Sequence, residues 1–379
     1  MKRRLVAVAG WLCLVLAGVL PPAAVAQTKE FVANIFFPDK HPIAKYSYAD
    51  WAVDLEKASG GRLKAKVFYG SSLLEPRAGL SGVRDGIAQI GHHAALYTPS
   101  ELPESNVLNE LSFAITDPLV AMAAVTEFEM TDPQMQAQWK KAGVVFAGGY
   151  STPQYVMMCS KPVRNLEEIK GKRLRTAGAS VSRWVQTVSA VAVNIPSTEM
   201  YTGLEKGSLD CATNVVSDLK SRSLWDVAKH TTMASLGMYY AGPNWAVNPA
   251  FWQGLSPDDR RLLFHVNAQA MANLYVGYQE AIAEALAEAR QHGVSFYEPG
   301  EDLKDSIRAF IKTSFEDIYS LAREKYKVSQ PESLVDRFMK TVAKWETRFG
   351  RTDRKDRRAI GKVLREELFD RIDAAAYGK

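Results

Sequence analysis

The sequence predicts an α/β protein built as two lobes. Two sets of alternating strand-like and helix-like segments, one before residue 150 and one after it, carry that prediction. A third observation is a helical stretch of about 35 residues in the last third of the chain. At 1.5 Å per residue it spans about 52 Å, longer than one lobe, so it should run along both. With 379 residues, 47% of them hydrophobic, the chain has material for about two cores.

The elements follow in order. Lys2, Arg3 and Arg4 precede an apolar run from Leu5 to Leu20, then Pro21-Pro22 and the small-x-small site Ala24-Val25-Ala26. That is the layout of an export leader over residues 1–26. The run is too short to span hydrocarbon, so no stable membrane insertion is expected after the leader is removed. Residues 31–36 read as a strand, Ala44 to Ser59 as a helix stopped by Gly60-Gly61, and Arg62 to Tyr69 alternates like a strand. Leu80 to Asp85 reads as a short helix and Ile87 to Gly91 as the next strand, completing β-α-β-α-β, a mostly parallel sheet. A second set runs through an apolar stretch at 154–160, a helix at 166–170 and a strand at 173–176. A helix at 181–191, a strand at 192–195, a helix at 199–206 and a strand at 211–215 complete it. Ser256-Pro257-Asp258-Asp259 then starts the long helix, with Ser as cap, Pro in the first turn and acids at the positive dipole end. Residues 302–377 are helix-rich, and the basic cluster Arg348 to Arg358, interleaved with Asp353 and Asp356, reads as a solvated face.

Composition excludes several classes. Without the three leader bases, 44 Lys and Arg face 42 Asp and Glu, which does not suit a dedicated nucleic-acid binder. Three cysteines do not make a disulfide framework, and one of them lies in the leader. Export permits a Cys159–Cys211 bridge, but two buried thiols are the plainer expectation. Nucleotide-loop, nucleophile-elbow and zinc-helix motifs are missing. His92-His93 are neighbours on a strand and should face opposite sides, so a shared metal is not expected. Arg175 ends a parallel strand, where α/β folds bind ligands, and its planar fork suits a carboxylate. On spacing alone, a surface salt bridge is the preferred explanation for it.

Several motifs together resemble the substrate-binding proteins of TRAP transporters, the tripartite ATP-independent periplasmic systems, of the dicarboxylate-binding type. His41-Pro42, Ala49 to Gly61 and Arg62 to Tyr69 are similar to the family's opening segment, and Val83-Arg84-Asp85-Gly86 to its V-R-x-G turn. Asn165 to Arg175 resembles the D-L-K-G-x-K-I-R signature, the most specific of these motifs. Met200 to Asp210 resembles E-x-Y-x-A-L-Q-x-G-x-V-D, with Cys211 where glycine is usual.

The resemblance implies a two-lobed periplasmic-binding-protein fold, type II-like, with crossing hinge strands and one long helix bracing both lobes. Residues 27–150 plus about 247–285 would form one lobe. Residues 151–246 plus about 286–379 would form the other, with the C-terminal helices. It implies a periplasmic transport receptor rather than an enzyme, with no cofactor, handing an organic acid to TRAP membrane subunits; a monomer is the default expectation. It places the carboxylate anchor on Arg175 and a second polar contact on Asn214. Tyr155 takes the place of a further arginine that many relatives have, which favours a small 2-hydroxy or 2-oxo monocarboxylate, aromatic ones included. Tyr97, His41 and Phe37 are expected from the first lobe, and Tyr239, Tyr240 and Trp245 where the cleft closes. The alternatives are an exported enzyme on an organic acid, with His41, His92 or His93 as base, an ABC-type binding protein, and a solute sensor for a signalling protein.

Overall fold

The computed structural model describes residues 28–379, so the expected leader lies outside the described residues. Among the described residues eleven strands occur in chain order: β1 (Lys29–Asn34), β2 (Leu63–Phe68), β3 (Ile90–Gly91), β4 (Val145–Phe146), β5 (Val156–Cys159), β6 (Arg173–Arg175), β7 (Val191–Val193), β8 (Cys211–Asn214), β9 (His230–Thr232), β10 (Ala246–Val247) and β11 (Ser295–Tyr297). They form two sheets, β2-β1-β3-β10-β4 and β11-β9-β5-β8-β6-β7. Pairs formed within the expected β-α-β units, such as β1–β2 and β6–β7, are parallel. Every antiparallel pair involves β5 or β10. Each of those strands is reached by a segment crossing from the other sheet rather than through a covering helix, and so enters its sheet from the opposite end.

The two crossing segments, 147–155 and 233–245, bond to each other on the way. Thr152 N–H donates to Tyr239 O and Tyr155 N–H to Gly237 O, both at 2.8 Å. Paired extended backbone of this kind makes a two-stranded hinge segment whose polar groups are satisfied between the lobes.

The long helix is Pro257–Ala289, 33 residues, capped by Ser256, whose Oγ accepts Asp259 N–H at 3.0 Å. Its first half packs on the first lobe, where Asn267 bonds Trp51 Nε1 at 2.8 Å. Its last turns enter the second lobe's apolar cluster through Ala289, Ile282 and Leu286. The expected brace is therefore present. The helices Pro331–Phe349 and Arg357–Glu367, grouped with the second lobe in the sequence reading, pack instead on the first-lobe helix Pro118–Thr131 and on the brace. Tyr377 closes that packing by donating to Phe146 O of β4 at 2.7 Å.

The helix expected over 44–59 begins at Pro42, with His41 Nδ1 accepting Ile43 N–H, and has one widened turn at Lys45–Ala49. It ends at Gly60-Gly61, whose φ values of 60° and 80° are the left-handed conformation glycine reaches without penalty. Cys159 and Cys211 are joined by a disulfide that links β5 to β8 at directly opposed positions, with Cα atoms 4.0 Å apart. Two free thiols, the plainer expectation from sequence, are corrected by that register.

Candidate binding site

Between the lobes lies a small cavity walled by Phe36, Phe37, His41, Leu96 and Tyr97 of the first lobe and Arg175, Ala177, Ser197 and Asn214 of the second. The hinge adds Tyr150, Thr152, Tyr155 and Tyr239, and the bracing helix adds Tyr278. About 30 Å³ is open to the centres of water-sized spheres, room for about two of them.

Arg175 ends β6 and is 1% exposed. Its Nε donates to Ile195 O and its Nη1 to Thr213 O, each at 3.1 Å, while Thr213 Oγ1 donates back to Arg175 O at 2.9 Å. These bonds to neutral carbonyls fix the guanidinium plane but leave its charge uncompensated, and no carboxylate pairs with it among the described residues. The surface salt bridge expected from spacing belongs to its neighbour instead: Arg173 makes a two-pronged pair with Asp210, at 3.0 and 2.9 Å. Both arginines lie on one side of β6, but Arg173 stands at the exposed start of the strand and Arg175 at its buried end.

Asn214 ends β8, its Oδ1 accepting Val215 N–H at 2.9 Å and its Nδ2 lying 3.7 Å from Met200 Sδ. Tyr239 Oη accepts Leu96 N–H at 2.9 Å, which leaves its own proton to donate. Tyr97 Oη accepts Ser197 N–H at 3.1 Å across the lobes. Tyr150 and Tyr278 have no hydrogen-bond partner for their hydroxyls among the described residues, and both rings are about 2% exposed. Burial raises the pKa of Tyr150, Tyr155, Tyr239 and Tyr278, so all four remain neutral phenols.

Seven of the nine residues expected from sequence meet here: Arg175, Asn214, Tyr155, Tyr97, His41, Phe37 and Tyr239. Tyr240 and Trp245 do not line the cavity. On an extended segment successive side chains alternate, so with Tyr239 turned inward Tyr240 turns away and donates to Leu108 O at 2.8 Å. Trp245 is core of the first lobe, its Nε1 bonded to Ser47 O at 3.1 Å and its ring against Trp51. Tyr150, Thr152, Ser197 and Tyr278 were not expected. The first two sit on the crossing segment, a signal available from Tyr155 nearby. His92 and His93 are buried and held neutral, each lowered to about 3 by burial. They contact separate partners, Asn244 at 3.2 Å and Thr98 at 2.8 Å.

Because both lobes wall the cavity, parting them opens it, and that construction defines a two-lobed solute-binding protein. The chain matches bacterial extracellular solute-binding protein family 7 (DctP) over residues 33–321 and belongs to that family, the solute receptors of TRAP transporters. It is 25% identical over 224 residues to a solute-binding protein of Albidiferax ferrireducens, spanning 58% of this chain and 64% of that protein, just under two thirds of its length. A TRAP solute-binding protein from an unidentified marine microbe, crystallised with 3-hydroxybenzoate, superposes with a TM-score of 0.74. It is 17% identical, over 84% of this chain and 99% of that one. A TRAP periplasmic solute-binding protein of Bordetella bronchiseptica with bound (R)- and (S)-mandelate gives a TM-score of 0.71 at 19% identity, over 83% and 99%. At these identities the likeness establishes the fold. Among the described residues no helix is long and apolar enough to cross a membrane.

Proposed function

We propose that the protein captures a small organic acid in the periplasm through an Arg175–carboxylate salt bridge and delivers it to TRAP membrane subunits, acting as a receptor and not as an enzyme. The observation that carries this reading is the buried, uncompensated guanidinium of Arg175. An unpaired charge in a buried site is costly, and an anionic ligand removes that cost with two parallel hydrogen bonds. The 3-hydroxybenzoate and mandelate held by the structural neighbours support a carboxylate as the anion. The two unpartnered phenols support an oxygen function besides the carboxylate, hence a 2-hydroxy or 2-oxo monocarboxylate. The small free volume favours compact acids over aromatic ones, which need the lobes further apart.

A thermal-shift screen of the mature protein against organic acids tests this, since a ligand bound only by the folded state raises Tm. A 2-hydroxy or 2-oxo monocarboxylate should raise Tm by several degrees, and Arg175→Ala should abolish the shift while keeping the solute-free Tm. A shift that survives in Arg175→Ala refutes the anchor.

A further inference from the structure

Beside the cavity, four side chains join the lobes. Asp218, 1% exposed, begins a short helix of the second lobe. Its Oδ2 accepts Arg222 Nε at 3.0 Å and its Oδ1 accepts Ser221 Oγ at 2.8 Å. His41 Nε2, from the first lobe, lies 3.4 Å from the same Oδ1. Arg222 also reaches Ser197 Oγ at 3.0 Å and covers the ring of first-lobe Phe37 at 4.9 Å. Phe37 stacks on His41 with centroids 4.0 Å apart and planes at 13°. His41 is fixed from its own side, because Nδ1 accepts Ile43 N–H at 3.2 Å. A neutral ring therefore carries its proton on Nε2, the donor Asp218 needs. A doubly protonated ring would set N–H against N–H at Ile43.

We propose that Asp218 is a positioning residue for lobe closure, a buried carboxylate that receives neutral His41 of the opposite lobe, so that solute is held more weakly as the surroundings acidify. This rests on the solute-receptor reading and adds to it a control on closure set by a carboxylate outside the cavity lining. The titratable and charged groups facing His41 are Asp218 and Arg222 from the second lobe, Tyr278 from the bracing helix and His92 from the first sheet. In the closed form burial lowers the pKa of His41, against the opposing pull of Asp218. Burial works against the Asp218 anion too, yet Arg222 and His41 hold it at about 2, so it stays charged throughout. Parting the lobes returns His41 to water and an ordinary value of about 6.5. Protons then favour the open form: closure is fully supported above that value and weakens below it.

The test uses the mature chain with its disulfide intact and spin labels at Val53→Cys and Val191→Cys, exposed positions on the two lobes. Interlobe distances are recorded at pH about 8 and about 5, with and without lactate or mandelate, alongside calorimetric affinities for the same acids. The closed population and affinity should both fall on acidification. Asp218→Asn should lower affinity about tenfold at the higher pH. His41→Gln, which keeps a donor but does not titrate, should lose the pH dependence of closure whatever its affinity at the higher pH. It also keeps the test decisive where Asp218→Asn folds poorly. Distances unchanged between the two pH values, or Asp218→Asn closing as wild type does, overturn the proposal. Failure to bind either acid combined with pH-dependent closure counts against the ligand assignment alone, and acid binding with pH-independent closure against the latch alone.

Discussion

The phenol of Tyr97 in the first lobe accepts the backbone N–H of Ser197 in the second at 3.1 Å. The bond exists only with the lobes apposed, and Tyr97 is also a wall of the Arg175 cavity. Tyr97→Phe keeps the ring and deletes the bond. A neutral hydrogen bond contributes about 1 kcal/mol net, so affinity for the proposed acid should fall about fivefold. Losses of this kind fall mostly on release. Stopped-flow measurement of dissociation checks it: an unchanged rate would mean that Tyr97 contributes only its ring.

The Cys159–Cys211 bridge ties the strand that follows the hinge, β5, to the strand that ends in Asn214, β8, across a sequence separation of 52. In the chain-entropy picture a loop of that size contributes about 4 kcal/mol through the unfolded state. The double variant Cys159→Ser/Cys211→Ser should unfold at correspondingly lower denaturant. It should also bind solute more weakly than its folded fraction explains, because the cavity wall loses its cross-link. Equal denaturation midpoints with and without reductant would contradict this.

Glu129 lies buried in the first lobe with no cation paired to it among the described residues, its oxygens accepting Ser105 Oγ and Trp139 Nε1, each at 2.8 Å. Burial raises its pKa to about 8, against those two bonds. The folded state thus binds a proton that the unfolded chain has released above about 4.3. Stability from this group is present at low pH and declines as pH rises towards 8, by at most about 1.4 kcal/mol per pH unit. Glu129→Gln, whose amide can accept from Trp139 and donate to Ser105, should flatten that slope. Denaturant midpoints at several pH values decide it, and parallel curves for the two proteins would rule out a buried neutral carboxyl.

The elements with a clear period or stop signal were legible in the sequence. The long helix starts where the Ser256-Pro257 cap puts it, and Gly60-Gly61 stops its helix as expected. The helix Pro118–Thr131 left no such trace, because it is buried on nearly every face and shows no amphipathic period. At the site, local chemistry was insufficient for a different reason. Arg173 and Arg175 are alike in spacing, and only the depth of β6 decides which pairs at the surface and which enters the cavity. Tyr239 and Tyr240 are likewise separated by strand alternation, whose phase depends on how the crossing segment pairs with Thr152. Tyr278 reads as one more apolar position on the bracing helix. Its place in the cavity follows from where that helix crosses the hinge.

Tyr278 and Tyr150 lead to the last prediction. Both residues line the cavity, neither hydroxyl has a protein partner among the described residues, and one left unpaired by a solute that displaces its water costs about 1–3 kcal/mol. An acid with a 2-hydroxy or 2-oxo oxygen can satisfy them, whereas the deoxy acid of the same length cannot. The wild-type protein should therefore prefer lactate to propionate by about tenfold or more, while Arg175 serves both equally. Tyr150→Phe and Tyr278→Phe should each reduce that preference, by weakening lactate and not propionate, because they remove the discriminating group and leave the anchor. Calorimetric titration of both acids into the three proteins gives the ratio directly. A preference unchanged in both variants would assign the second oxygen to Asn214 or Tyr239 instead.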